Sequence, residues 1–406
     1  MTNLIFEQIK WMYDLNKFGI KLDLENILKL CNALGNPQNS FKSIHIAGTN
    51  GKGSTSKMIY SILREAKHSC GLYTSPHLVK FNERIIADDL EITDPELSTL
   101  IDKIKVILED RKLDATFFEF TTALAFMHFK EKKVEYAIIE TGLGGRLDAT
   151  NIVNPVLTLI TSIGTDHTEY LGNDKKQIIL EKLGIAKKGI QMIVNLKEDA
   201  LVKIAKNYCE EKKVPFALLD KTILPPKVKL LGKHQIENAI LAIQATKKII
   251  NVDNTIISSA LGNVTWSGRF EIISKRPLVI VDCAHNLEGF GACMNTLETI
   301  EYKTLIPIIG FSDDKQIDSM LNLLKKKTNK IIATQSEFKP LKYRLLEDYA
   351  KKKEFEILGS LEKPMDAVKK GLQEMNEKDC LLITGSMYMI GLIYSSLPDL
   401  IQNTPK

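Results

Sequence analysis

The chain has 406 residues, 44% of them hydrophobic and 26% charged, a globular balance with length for roughly two or three domains. That composition excludes collagen-like, disordered and disulfide-scaffold chains. A formal charge of +5 spread over this length suits anionic small substrates and falls short of the dense basic field of a dedicated nucleic-acid binder.

The arginines are few: Arg64, Arg84, Arg111, Arg146, Arg269, Arg276 and Arg344, against 55 basic residues in all. A codon bias toward lysine explains the scarcity but not where the seven fall. The six cysteines include no CxxC pair, which speaks against a zinc site and fits a reducing compartment. The N-terminal MTNLIFEQIKWMYDL is interrupted by Glu7 and Lys10, so it lacks the apolar core of a signal peptide. Residues 380–398 carry no charge over a length that meets the membrane-span test. Their Gly385-Ser386, Gly391 and Ser395-Ser396 breaks instead predict a strand, a turn and an apolar helix. The expectation is a cytoplasmic protein with no membrane and no nucleic-acid partner.

In chain order, Ser43–Ala47 predicts a strand and Ser54–Ala66 a helix. Tyr136–Glu140 and Leu157–Thr161 predict two more strands, each followed by a polar, glycine-bearing segment. Short continuous apolar runs of this kind belong to parallel strands covered on both faces. Their polar tails then collect at the carboxyl edge of the sheet, where open α/β sheets bind ligands. The rhythm restarts near Trp266–Arg269. Pro277–Asp282, Thr304–Ile309, Lys330–Thr334 and Leu381–Thr384 predict four strands of a second α/β unit. The expected fold is therefore α/β: a parallel-sheet domain over residues 1–268 and a smaller α/β domain over 269–406. The lysine runs at 325–327 and 351–353 read as solvated helix faces.

The first strand runs into Gly48-Thr49-Asn50-Gly51-Lys52-Gly53-Ser54 and then a helix. Glycines let backbone N–H groups converge on phosphate oxygens, and the helix N-terminus adds its positive dipole end. Lys52 supplies charge to the β- and γ-phosphates of ATP, and Ser54 a hydroxyl for magnesium. The spacing departs from the common P-loop: Gly48 lies three positions before Gly51, and Gly53 separates Lys52 from Ser54. Glu140 at a strand end, His167 beyond the next strand, Ser54 and Ser75 form a mostly hard ligand set suited to Mg2+. Lys182, one of many lysines, carries no signal of its own.

HIAGTNGKGSTS, TSPHL, FFEFTT, ETGLGGRLDATN, TSIGTDHTEYLG, LGKHQIENA, SGRFE, DCAHN and ITGSMYMIG follow one another from residue 45 to 391. In this order they resemble the folylpolyglutamate synthase/dihydrofolate synthase family of ADP-forming amide ligases, relatives of the Mur ligases. The resemblance implies that ATP phosphorylates a carboxylate of dihydropteroate or of a reduced folate, and that L-glutamate attacks the acyl phosphate. It places Gly51, Lys52, Gly53, Ser54, Asn238, Arg269 and Asp282 at the nucleotide. It implies magnesium at Ser54, Ser75, Glu140 and His167, and at Lys182 once that lysine is carbamylated. Lys52, Glu140, His167 and Lys182 are the expected catalytic set. Phe118, Glu119, Phe120 and Thr121, with Leu147, Asp148 and Ala149, are implied as pterin contacts; the two Phe rings are also compatible with a helix core.

The C-terminal part departs from the family pattern. Ser267 replaces a proline, Cys283 replaces a glycine, and Ser312–Lys315 has its charged residues reordered. Ser336–Leu345 lacks a Pro-Arg-Ala, for which Pro340-Leu341-Lys342 is a candidate substitute. The expectation is a bifunctional enzyme, joining the first glutamate to dihydropteroate and extending folates, and acting as a monomer; the alternatives are a folylpolyglutamate synthase only, a Mur-like ligase or a nucleotide-hydrolysing switch.

Overall fold

The computed structural model describes residues 3–15, 23–166, 168–172 and 174–403. The chain divides into two compact units: Met1–Lys229 with Ile236–Val264, and Leu230–Gln235 with Thr265–Lys406.

The first unit is built on eight strands: β1 (Lys42–Ala47), β2 (Cys70–Tyr73), β3 (Ile85–Ala87), β4 (Leu90–Glu91), β5 (Tyr136–Glu140), β6 (Pro155–Ile160), β7 (Met192–Val194) and β8 (Phe216–Leu218). Their order across the sheet is β4-β3-β2-β5-β1-β6-β7-β8. The six strands from β2 to β8 across that order are parallel, and β3 and β4 close one edge as an antiparallel hairpin. The chain leaves β1, skips one place to β2, returns with β5 into the gap and then places β6 on the far side. The winding reverses at β1, so the carboxyl ends of β1, β5 and β6 border the crevice such sheets use for ligands.

These three strands are mostly apolar and buried along nearly their whole length, which is why they stand out in the sequence. One face of the unit packs Phe120, Phe126 and Phe129 with Ile5, Met12, Ile27 and Leu30. A second cluster joins Ile160, Met192 and Val194 to Ile179, Leu183 and Ile185. It seats the helix Lys175–Leu183 beside the carboxyl end of β6.

The second unit has six strands: β9 (Glu271–Lys275), β10 (Leu278–Asp282), β11 (Leu305–Ile309), β12 (Lys330–Ala333), β13 (Glu356–Ser360) and β14 (Cys380–Thr384). Their order is β13-β12-β11-β14-β10-β9, with only β9 antiparallel. Four of the six were expected; β9 and β13, each partly exposed along its length, lack the apolar run that marks the others. The uncharged segment folds as β14, a turn at Gly385-Ser386 and the helix Met387–Tyr394. Among the described residues no helix is long and apolar enough to cross a membrane.

Two of the segments that depart from the family pattern fold against each other. Ser312 bridges to Pro340, Asp313 N donates to Lys339 O at 2.9 Å, and Leu341 N donates to Phe311 O at 3.0 Å. Cys283 is fully buried and its N–H donates to Gly268 O at 2.8 Å, a packing role.

Candidate active site

The helix after β1 begins at Lys52, two residues earlier than expected, with Gly51 as its left-handed N-cap (φ 86°). A helix cannot pair its first four N–H groups internally. Here those belong to Gly51, Lys52, Gly53 and Ser54, the residues the sequence assigned to phosphate. The loop is braced from the far side of β1. Thr49 N and Asn50 N donate to Ser162 O and Oγ, both at 2.9 Å; Thr161 Oγ1 and Ser162 Oγ donate to Asn50 O at 2.7 and 2.9 Å. Asn238 packs its side-chain amide against Gly51, where an added Cβ would lie 2.6 Å from Asn238 Oδ1.

Gly48 meets Thr161 even more closely: a Cβ there would sit 1.9 Å from Thr161 Oγ1. Gly48→Ala is therefore expected to destabilise the unit by about 1–3 kcal/mol, the usual range for overpacking. It should also weaken nucleotide binding more than it lowers the melting temperature. Calorimetric titration with ADP beside thermal unfolding checks this; unchanged ADP affinity would contradict the loop's assignment.

Lys52 Nζ donates to Gly48 O and Thr49 O at 3.0 and 3.2 Å, and lies 4.0 Å from Glu140 Oε1. Glu140, buried at the end of β5, takes a hydrogen bond from Ser75 N at 3.3 Å through Oε2. Lys182 is fully enclosed and donates to Gly48 O at 2.9 Å. Burial lowers its pKa to about 7, helped by the Lys52 charge and opposed by Asp166 and Asp148. Ser54, Ser75, Glu140 and Lys182 thus come from four elements to the rim of one loop. His167 lies outside the described residues.

The folate-side residues divide. Thr116 and Glu119 form a capping box for the helix Phe117–Lys132, with Glu119 Oε2 accepting from Thr116 N at 2.8 Å. That motif is legible in Thr-Phe-Phe-Glu and gives Glu119 a structural role beside its proposed one. Among the described residues Glu119 Oε1 is buried with no hydrogen-bond partner, an acceptor available to a ligand N–H. Phe118 is half-buried, lies against Gly142 and stacks on Tyr73 at 6.2 Å between ring centroids.

Phe120 is not the second wall of a ligand slot. Helix geometry turns it inward, fully buried, with Trp11 edge-on at 5.4 Å. Thr121 is buried and bonds the Tyr73 hydroxyl at 3.1 Å.

Asp148 is held by its own loop. Leu143 N donates to Oδ2 at 2.7 Å, and Thr150 donates to Oδ1 from its N–H (3.0 Å) and its hydroxyl. In this structure Asp148 shapes the segment that carries Leu147 and Ala149. Burial still raises its pKa. His45 of β1, fully enclosed and held near pKa 3 by burial and then by Lys187, bonds Thr150 Oγ1 at 2.8 Å. Because the Thr150 proton goes to Asp148, His45 donates from Nε2. The strand feeding the phosphate loop and the 142–151 loop are therefore tied by one buried chain of hydrogen bonds.

In the second unit, Asp282 ends β10 and accepts from Phe270 N and Ala284 N at 2.8 and 2.9 Å. Burial raises its pKa, and the neighbouring Arg269 charge pulls it back. Arg269 sits on the turn before β9, and Asp282 at the carboxyl end of β10.

Sequence reasoning missed Thr161, Ser162, His45 and Thr150, whose types are common in any strand end and loop. It also passed over Arg84, although the scarcity of arginine was a signal.

A parallel sheet that feeds a braced glycine loop into a helix, with a carboxylate and a buried lysine at its rim, defines a nucleotide-dependent ligase of the Mur type. Residues 46–246 match the Mur ligase middle domain and residues 268–387 the Mur ligase glutamate ligase domain. The chain belongs to the dihydrofolate synthase/folylpolyglutamate synthase family. It is 33% identical to the dihydrofolate synthase/folylpolyglutamate synthase of Bacillus subtilis, over 95% of this chain and 97% of that one. Escherichia coli FolC in complex with DHPP and ADP superposes with TM-score 0.88 at 26% identity, covering 97% of this chain and 98% of that chain. The bifunctional enzyme of Yersinia pestis complexed with AMPPNP and Mn ion gives 0.88 at 25% identity, covering 98% of each chain.

Proposed function

We propose that this chain is a bifunctional ligase, joining L-glutamate to dihydropteroate and to reduced folates with cleavage of ATP to ADP and phosphate. The observation that carries the reading is the convergence of Lys52, Glu140 and Lys182 on the Gly48–Ser54 loop. Family membership and the likeness to a FolC bound to DHPP and ADP support the substrates. We assign residues 1–268 to nucleotide and pterin, and 269–406 to the glutamate side. The reading includes a monomer acting on small molecules in the cytoplasm.

The donor set fits a hard divalent cation. Ser54 and Ser75 offer hydroxyls and Glu140 a carboxylate, all oxygen donors of the kind Mg2+ prefers. When bound, Mg2+ neutralises charge on the transferring phosphoryl group. Lys182 belongs to this set only as a carbamate. The lowered pKa supports that step, because a neutral amine is what adds CO2: the N–C bond forms as one C=O π pair moves onto oxygen, one N–H proton leaves to solvent, and the amine becomes an oxygen ligand.

The remaining work is positioning. The first helical turn aims its N–H groups at the phosphates. Lys52 has three N–H donors, and two are held by loop carbonyls at this edge, so the ammonium is fixed beside the transferring group. The Thr74–His77 segment and the Phe118–Glu119 helix start hold the acceptor so that its carboxylate meets the γ-phosphate. Asn238, packed on Gly51, contacts the nucleotide from the loop side.

ADP release measured with dihydropteroate, glutamate or Mg2+ omitted in turn tests the reading. Release is expected only in the complete mixture. Equal release without glutamate and pteroate would favour a nucleotide-hydrolysing switch instead.

A further inference from the structure

Arg84 is a buried cation that the proposed chemistry leaves unused. It ends the short helical turn Phe81–Arg84 just before β3 and is only 6% exposed. Its guanidinium carbon lies 5.7 Å from the Phe81 ring centre and 5.4 Å from that of Phe117. Its Nε donates to His77 Nδ1 at 2.8 Å. Among the described residues its two Nη atoms have no hydrogen-bond or ion-pair partner. Burying a guanidinium without an anion is costly unless a partner arrives. Aromatic walls compensate only in part.

The surroundings say where that partner comes from. Arg84 O accepts from Thr74 N at 3.0 Å, and Tyr73 pairs with Ile85. Thr74 precedes Ser75, whose N–H bonds Glu140. On its other side the guanidinium rests on Phe117, which precedes Phe118 and Glu119 and is itself stacked by Tyr13 at 5.0 Å. Arg84 therefore stands between the wall assigned to metal and phosphate and the wall assigned to the pterin. His77, which receives the Nε–H, fixes the fork's orientation.

Any acceptor substrate has one carboxylate that reacts at the γ-phosphate. Dihydropteroate has no other. A folate's glutamyl residue also carries a spectator α-carboxylate, a three-carbon chain away from the reacting γ-carboxylate. A planar guanidinium with both Nη groups open matches a carboxylate as a two-bond fork.

Resting on the ligase reading above, we propose that Arg84 is a specificity residue for folate extension, taking the spectator α-carboxylate of the glutamyl acceptor. It distinguishes the two reactions of one site: extension uses it, and first-glutamate addition does not.

The test compares Arg84→Leu, Arg84→Lys and wild type on tetrahydrofolate and on dihydropteroate. Arg84→Leu is expected to raise KM for tetrahydrofolate about ten- to a hundredfold, with KM for dihydropteroate within about threefold of wild type. Arg84→Lys keeps the charge but not the fork, and should fall between. A reduced pteroyl substrate with 4-aminobutyrate in place of its glutamate lacks only the α-carboxylate. Wild type should lose the same factor on it, and Arg84→Leu should not distinguish it from tetrahydrofolate.

Equal losses on both natural substrates would assign Arg84 to structure and overturn the proposal. So would wild-type indifference to the missing carboxylate, an arm that needs no variant to fold. Amide formation by wild type from either natural substrate keeps the ligase reading standing through all of these results. Its absence would remove that reading and the proposal together.

Discussion

Lys52→Ala and Glu140→Ala are each expected to lower kcat by about a hundred- to a thousandfold, the range for removing one group that stabilises developing charge in a closed site. Lys52 Nζ is pinned by Gly48 O and Thr49 O, and its charge stands 4.0 Å from Glu140. Alanine at 52 removes the only ammonium the loop itself carries. Alanine at 140 removes a buried acceptor that also orders Ser75 N. Both should leave the fold intact, because neither side chain belongs to a hydrophobic cluster of the first unit. Single-turnover phosphoryl transfer measured beside far-ultraviolet circular dichroism checks the pair. Near-normal turnover in both folded variants would remove them from the chemistry.

Lys182 gives the second large effect. A lysine enclosed to this degree has two readings, a strut to Gly48 O or the precursor of a carbamate ligand, and the variants separate them. Lys182→Met keeps length and bulk. A strut replaced by a thioether loses one hydrogen bond, about 0.5–1.5 kcal/mol of stability, and keeps turnover. A carbamate ligand loses turnover by about a hundredfold or more. Lys182→Ala should then recover part of it with acetate or propionate, whose carboxylate can occupy the vacated channel.

The pH dependence has a definite sign. Below pH about 7 the amine is protonated and cannot take up CO2. About one-tenth is neutral a unit below that pKa and about nine-tenths a unit above it. Activity that depends on the carbamate should rise through this window and require dissolved CO2. Stability follows the same direction: the penalty of burying the charged lysine is present in full below pH about 7. It is relieved as pH rises toward the value of a free lysine. Flat activity from pH 6 to 8 in CO2-depleted and CO2-saturated buffer alike would rule the carbamate out.

The sheet's centre was legible because β1, β5 and β6 are buried on both faces and therefore written as mostly apolar runs. The strands β2, β7 and β8 lie away from that centre, with three or four residues each. So short a run as Cys-Gly-Leu-Tyr has no periodicity to detect. The helix start at Lys52 was misjudged by two residues because Gly51 and Gly53 look like loop. In fact Gly51 supplies the left-handed cap and Gly53 already lies inside the first turn.

In the candidate site, the Gly48–Ser54 loop stood out from residue type and spacing alone. Glu140 was visible from its place at a strand end, and Lys182 only through the family. Phe120 illustrates the limit. Local sequence cannot say which of two rings separated by one residue faces the core; the capping box at Thr116 and Glu119 decides it by setting the helix phase. Asp148 is similar, since only the folded loop reveals that its three bonds come from Leu143 and Thr150. The setting of Arg84 was hidden because it is visible only in the fold: two phenylalanines and, among the described residues, no carboxylate paired with it.

The most direct measurement is the identity of the product. Purified protein is incubated with ATP, Mg2+, isotopically labelled L-glutamate and dihydropteroate, and the pteridines are resolved by mass spectrometry. The account predicts dihydrofolate carrying one labelled glutamate, formed with one ADP per amide, and labelled diglutamate when tetrahydrofolate is supplied instead. ADP formation with no labelled pteridine from either acceptor would contradict it.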